Sequence, residues 1–144
     1  MEALYRKAYD LIERERFVEA KDLLEECLNL GSNPSVDAAA RQELARVRRE
    51  LGDLSGALTL RLEVKRIAPD RHANLWKLAD LLAEMGRLEE ALAEVTAALE
   101  YSPAHLGYMA THARIKKLLR NSGRVAEHPL IALRAHVDCK LGFE

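Results

Sequence analysis

GRLEEALAEVTAALEYSP, residues 86–103, repeats the punctuation of GDLSGALTLRLEVKRIAP, residues 52–69. In each stretch Gly comes first and Ala follows five residues on (Ala91, Ala57). A small or medium apolar residue stands seven later (Ala98, Val64), and Pro five after that (Pro103, Pro69). Every landmark is displaced by 34 residues. At that offset residues 38–71 and 72–105 align without a gap. Nine positions are identical: Ala39/Ala73, Leu44/Leu78, Ala45/Ala79, Glu50/Glu84, Gly52/Gly86, Leu54/Leu88, Ala57/Ala91, Leu58/Leu92 and Pro69/Pro103. Pairs such as Val47/Leu81 and Leu51/Met85 keep their apolar character.

Inside each unit apolar residues recur at three and four, the period of a helix with one buried face. Leu75, Leu78, Leu82 and Met85 make one stripe, and Leu88, Ala91, Leu92, Val95 and Leu99 the next. Gly86-Arg87 between them predicts a tight turn, with Gly supplying the left-handed conformation that ends the first helix. Small Ala79 and Ala91 fall where the two helices of a hairpin cross, so their backbones can approach closely. Ser102 before Pro103, and Asp70 after Pro69, are expected to cap the helices that follow. Residues 1–34 fit the same template more loosely, with Ala8, Phe17, Ala20, Leu24 and Cys27 in the small and apolar slots. There Glu15 replaces the turn Gly and Ser32 the Pro. The surplus in GSNPSVD (31–37) is expected to lengthen a loop.

This pattern resembles the tetratricopeptide repeat, a 34-residue helix-turn-helix unit. Repeat 72–105 matches its slots with Leu75, Leu78, Ala79, Leu82, Gly86, Ala91, Val95, Ala98 and Pro103. Repeat 38–71 matches with Leu44, Ala45, Gly52, Ala57, Val64 and Pro69. It departs at Arg41, Arg48 and Arg61, where bulky apolar residues are usual. These departures suggest an atypical contact between repeats or exposed aliphatic stems. The resemblance implies an all-α, right-handed α-solenoid in one domain (1–144): three helix hairpins (1–34, 38–71, 72–105) and a C-terminal capping helix pair (106–144). AHLGYMATHARIKKLLR (104–120) reads as a fourth first-helix, and NSG (121–123) as a break. Leu130, Leu133, Val137 and Leu141 then form the stripe of a last helix. That stripe either covers the open end of the array or docks a partner or a second copy, which would make the chain a self-assembly module.

The resemblance also implies a concave groove lined by the first helix of each repeat. Carried onto this sequence, its centre is Tyr5, Tyr9 and Ile12; then Gln42, Arg46 and Arg49; then Trp76, Asp80 and Ala83; then Ala110, Arg114 and Lys117, with Lys77 at the flank. Trp76 either faces a partner, since Trp, Tyr and Arg dominate binding hot spots, or packs between neighbouring repeats. Four bases (Arg46, Arg49, Arg114, Lys117) stand against one acid (Asp80) at the centre, diluted by Glu13, Glu50 and Glu84 at the rim, which suggests a protein segment with acidic and apolar side chains as the ligand. The Lys/Asn pattern by which one subclass clamps a C-terminal carboxylate is not met, because Tyr5, Tyr9, Gln42 and Arg46 stand at the matching positions. The expected function is therefore a protein–protein scaffold or adaptor.

Composition narrows the alternatives. Residues are 49% apolar and 31% charged, as in a soluble globular protein, and 22 bases against 23 acids give a net charge of −1. That balance argues against a nucleic-acid or anionic-membrane partner. The basic run Arg114, Lys116, Lys117, Arg120 and Arg124 carries no interleaved aromatic for stacking bases and is expected to be a solvated flank. His128, His136, Asp138 and Cys139 are the nearest approach to a metal set, and their spacing matches no ligand motif. No phosphate loop or nucleophile elbow occurs. We therefore expect no enzyme activity, no metal and no cofactor. A start charged within a few residues, the absence of a long uncharged apolar stretch, and two cysteines far apart (Cys27, Cys139) lead us to expect a cytoplasmic protein.

Overall fold

The computed structural model describes residues 2–31 and 33–123. Over that span the chain forms seven α-helices: α1 (Glu2–Glu13), α2 (Phe17–Leu30), α3 (Pro34–Glu50), α4 (Leu54–Ile67), α5 (His72–Glu84), α6 (Leu88–Tyr101) and α7 (Leu106–Asn121). Consecutive helices pack on each other throughout, and α1 also touches α3, as α5 touches α7. The hairpins α1–α2, α3–α4 and α5–α6 are the three units of the sequence, and α7 is the expected fourth first-helix. The second member of the capping pair, with Leu130, Leu133, Val137 and Leu141, lies outside the described residues.

The hairpin turns share one hydrogen-bond scheme. At Gly52 the amide donates to Arg49 O at 3.0 Å, and Asp53 N donates to Arg48 O at 2.8 Å. Gly86 to Ala83 and Arg87 to Leu82 repeat this at 3.0 and 2.8 Å. Glu15 to Ile12 and Arg16 to Leu11 do so at 2.9 Å each. The bond spanning five residues ties off the last free carbonyls of the first helix and requires a left-handed residue in the turn. Gly52 and Gly86 supply it with φ of 88° and 82°, and Glu15 adopts it at 59° without being glycine.

Small residues sit where the helices cross: Ala79, Ala91, Ala20 and Ala8 are fully buried. Most of the buried apolar residues form three clusters. One spans α1–α3 (Ala8, Ile12, Ala20, Leu24, Cys27, Ala40, Leu44, Val47). Another spans α5–α7, from Leu75 to Leu119. Between them, at the seam of the second and third units, lie Ala45, Ala57 and Leu81, with partly buried Leu54, Leu58, Leu60 and Met85 packed against them.

Three local expectations are corrected. The surplus residues near 31–37 lengthen a helix, not a loop. Asn33 caps α3, its Oδ1 accepting from Val36 N at 2.9 Å, and Pro34 takes the first position, so α3 runs for 17 residues against 13 in α5. Asn-Pro is itself a helix-start signal, because Pro has the helical φ and no amide to leave unsatisfied. Ser102 does not cap α7; it ends α6, and two turn residues later His105 caps α7 by accepting from Tyr108 N at 3.2 Å. Asp70 does not cap α5 either. Its carbonyl accepts from His72 N at 2.9 Å, and the residue before the helix is Arg71, without a side-chain cap.

Candidate functional site

The first helices α3 and α5 bound a cleft of about 410 Å³. Five residues expected in the groove line it: Gln42, Arg46 and Arg49 from α3, and Lys77 and Asp80 from α5. They meet because 3.6 residues per turn put positions 42, 46 and 49 on one side of α3, and 77 and 80 on the facing side of α5. Ala45, Ala57, Ala73 and Leu81 complete its apolar wall.

The cleft also brings in the rim acid Glu50 and two residues outside the expected groove, Glu43 and Arg61. Its bases are Arg46, Arg49, Arg61 and Lys77 and its acids Glu43, Glu50 and Asp80, so the expected excess of positive charge is largely cancelled. The cancellation is local. Arg46 lies 3.5 Å from Glu43 and 3.8 Å from Glu13 of α1. Arg49 Nε donates to Glu84 Oε1 at 2.7 Å and lies 3.7 Å from Glu50, and the Glu84 bond holds its guanidinium above the usual range. Arg114 on α7 donates to Asp80 at 2.9 Å. Glu13–Arg46, Arg49–Glu84 and Asp80–Arg114 thus each join one first helix to the next, about one repeat apart in sequence. The signal was present in the frame: acids and bases alternate in sign at matching positions, as Arg46 and Asp80 do.

The remaining groove residues separate. Ile12 is only 2% exposed and belongs to the α1–α3 core, because α1 buries the face it shares with Ala8. Tyr9 is exposed and Tyr5 half-buried. Burial first, then the negative charge of Glu43, pushes the Tyr5 hydroxyl above its ordinary value. Gln42 Oε1 accepts from Arg71 Nη1 at 2.8 Å, so the loop before α5 is tied to α3. Lys117 and Ala110 are exposed on α7, outside the lining of the cleft.

Trp76 is half-buried and packs between units. Its Nε1–H donates to Thr111 Oγ1 at 2.8 Å, and its ring meets Tyr108 and His105 at centroid distances of 5.3 and 5.4 Å. Lys77 Nζ lies 4.4 Å from the centroid of the indole. Tyr108 in turn stacks on His105 at 3.7 Å, and its hydroxyl is 2.7 Å from His72 Nδ1. Trp76 therefore builds the α5–α7 contact.

The three arginines that depart from the repeat pattern have three different fates. Arg41 pairs with Asp37 at 3.3 Å along its own helix. Arg48 bridges Glu25 at 2.6 Å and Asp53 at 2.9 Å. Arg61 is buried. Cys27 is buried in the α1–α3 core, and burial raises its thiol above the ordinary value, the opposite of a reactive setting. Among the described residues no three metal-ligating side chains come together. His128, His136, Asp138 and Cys139 lie outside them. Among the same residues no helix is long and apolar enough to cross a membrane.

No protein-family model matches the sequence, and no curated protein matches it significantly. Solved structures do. A tetratricopeptide repeat protein from Parabacteroides merdae superposes with a TM-score of 0.76 at 22% identity, over 94% of this chain and 57% of that one. This chain thus spans little more than half the length of that structure. The first TPR of Spaghetti bound to an HSP90 peptide gives 0.75 at 15% identity, over 82% of this chain and 91% of that one. The Yersinia enterocolitica type III secretion chaperone SycD in complex with a peptide of the translocator YopD gives 0.68 at 18%, over 83% and 89%. The likeness is one of fold: the chain has the tetratricopeptide-repeat fold.

Proposed function

We propose that this protein is a non-catalytic interaction scaffold or adaptor, which holds an extended or helical segment of a partner protein in the groove formed by its first helices. The observation that carries the proposal is the α3–α5 cleft, where Gln42, Arg46, Arg49, Lys77 and Asp80 converge beside an apolar wall. None of these five is needed to fill the core, and the cleft combines apolar surface with fixed polar groups, as ligand sites do. Two of the structures of like fold hold peptides, one from HSP90 and one from a translocator. The near-balance of charge in the cleft favours a ligand that mixes apolar side chains with a few acids over a polyacidic one. A cytoplasmic setting is part of this reading.

Peptide selection from a random displayed library, followed by mapping of the selected peptides on the ¹⁵N-labelled protein, tests it. Shifts should cluster on the α3 and α5 residues of the cleft. Selected peptides that map to α4 and α6 instead, or a library that yields none, would overturn the reading.

A further inference from the structure

Two polar side chains are buried at the seam between the second and third units: Arg61 of α4, 8% exposed, and Asn74 of α5, 0% exposed. Asn74 is engaged at both ends of its amide. Its Oδ1 accepts from Arg61 Nη1 at 3.1 Å, and its Nδ2 donates to the Arg61 carbonyl at 3.0 Å. The guanidinium is not fully engaged. It carries five N–H donors, and Asn74 is its one hydrogen-bond acceptor among the described residues.

The same slot in the next unit holds Val95, fully buried in the α5–α7 core. An apolar side chain there costs nothing in desolvation, whereas a buried cation costs several kcal/mol unless a charge faces it. Burial pushes Arg61 down to about 10, so it still carries its charge at neutral pH. Glu43 and Asp80 favour that charge, and Arg49 and Arg46 oppose it. Glu43 already faces Arg46, and Asp80 faces Arg114. Arg61 lines the cleft. Of the four bases there, Arg46 and Arg49 hold carboxylates, while Arg61 and Lys77 have none among the described residues. A planar guanidinium with free N–H groups in a dry site matches the two oxygens of a carboxylate. Glu43, Glu50 and Asp80 around it would repel a more highly charged anion.

We propose that Arg61 is a carboxylate-recognition residue: at the floor of the cleft its guanidinium receives one carboxylate of the bound partner segment, with Lys77 as the second cation at the rim. This rests on the reading of the cleft as the partner groove and names the chemistry that the groove selects. The carboxylate comes from an Asp or Glu side chain or from a chain terminus.

Three peptides titrated into the full ¹⁵N-labelled chain test the proposal: acetyl-Ala-Leu-Glu-Leu-Ala-amide, the same peptide with Gln for Glu, and that Gln peptide with a free C-terminal carboxylate. The Glu peptide or the free-terminus peptide should shift the Arg61 Nε–H resonance and bind about tenfold or more tightly than the amidated Gln peptide. Which of the two does so identifies the source of the carboxylate. In the double variant Arg61→Met, Asn74→Leu that preference should disappear. If the peptides shift the amides of Gln42, Ala73 and Asp80 without preference for a carboxylate and without moving the Arg61 resonance, Arg61 is structural and the groove reading stands. A carboxylate preference that survives in the double variant overturns the proposal in the same way. If none of the peptides moves those amides, both readings fall. The Arg61 resonance is read on the parent protein, so the test does not depend on the double variant folding.

Discussion

Trp76 on α5 and Thr111 on α7 are joined by an indole N–H to hydroxyl hydrogen bond of 2.8 Å across 35 residues of sequence. Thr111 is 6% exposed, so its loss leaves a donor in a half-dry contact. Thr111→Val should lower stability by about 1 kcal/mol, and Thr111→Ser should keep most of it. Trp76 is the sole tryptophan, and its fluorescence reports the change directly. An unaltered emission spectrum and melting curve for Thr111→Val would show that this contact does not hold α7.

Glu15 occupies the left-handed turn position that Gly52 and Gly86 fill in the other hairpins. A side chain in that conformation costs about 1–2 kcal/mol. Glycine removes the strain but gains freedom in the unfolded chain, which offsets roughly 0.4–1 kcal/mol. Glu15→Gly should therefore stabilise the protein by a few tenths to about 1 kcal/mol, measured by urea unfolding. A destabilised variant would mean that the Glu15 side chain contributes more than its backbone costs.

The hairpins were legible because their information is local and repeated. Gly52 and Gly86 mark the turns, Ala79 and Ala91 the crossings, and the stripes the buried faces. The caps were less so. Ser102, Asp70 and His105 lie within a few residues of helix starts, and only the path of the chain decides which side chain reaches an amide. The site was half legible. Gln42, Arg46, Arg49, Lys77 and Asp80 followed from the resemblance to the tetratricopeptide repeat, but the pairing of Arg49 with Glu84 depends on how far one helix slides along the next. Arg61 stood out as a charge in an apolar slot, yet its partner Asn74 lies on another helix and is silent in the repeat pattern.

Asp53 caps α4, its Oδ1 accepting from Gly56 N at 2.9 Å and its Oδ2 from Arg48 Nη1 at 2.9 Å. The Gly56 amide first, and Arg48 second, hold its carboxyl below the usual range. A carboxylate with a lowered folded pKa is bound by more protons in the unfolded state. Its stabilisation is present in full above the unfolded value of about 4 and is lost as pH falls through the folded one. Asp53→Asn keeps a capping oxygen but loses the charge. The variant should melt lower than the parent at pH 7, and the gap should close on acidification below about pH 4. A gap independent of pH would assign the effect to packing.

Ala91 is fully buried where α6 crosses the α5–α7 core. Ala91→Leu should cost about 1–3 kcal/mol by overpacking, because a branched side chain must push α5 and α6 apart. Thermal unfolding at neutral pH measures it. A variant that melts with the parent would mean that the close approach of the two helices is not what the repeat requires.

Arg46 should behave in the opposite way. Its side chain is 47% exposed and pairs with Glu43 and Glu13 at the long end of ion-pair distances, where such contacts contribute about 0–1 kcal/mol. Arg46→Glu sets a third carboxylate beside those two, so a loss of roughly 1 kcal/mol is expected, still small beside a core defect. In the cleft the consequence is larger, since one of four bases becomes an acid on the wall that faces the ligand. A selected peptide carrying a carboxylate should bind Arg46→Glu at least about tenfold more weakly, and Ala91→Leu, where folded, with parental affinity. Calorimetric titration of both variants against the same peptide separates groove from scaffold. Parental affinity in Arg46→Glu would place the peptide somewhere other than the α3–α5 cleft.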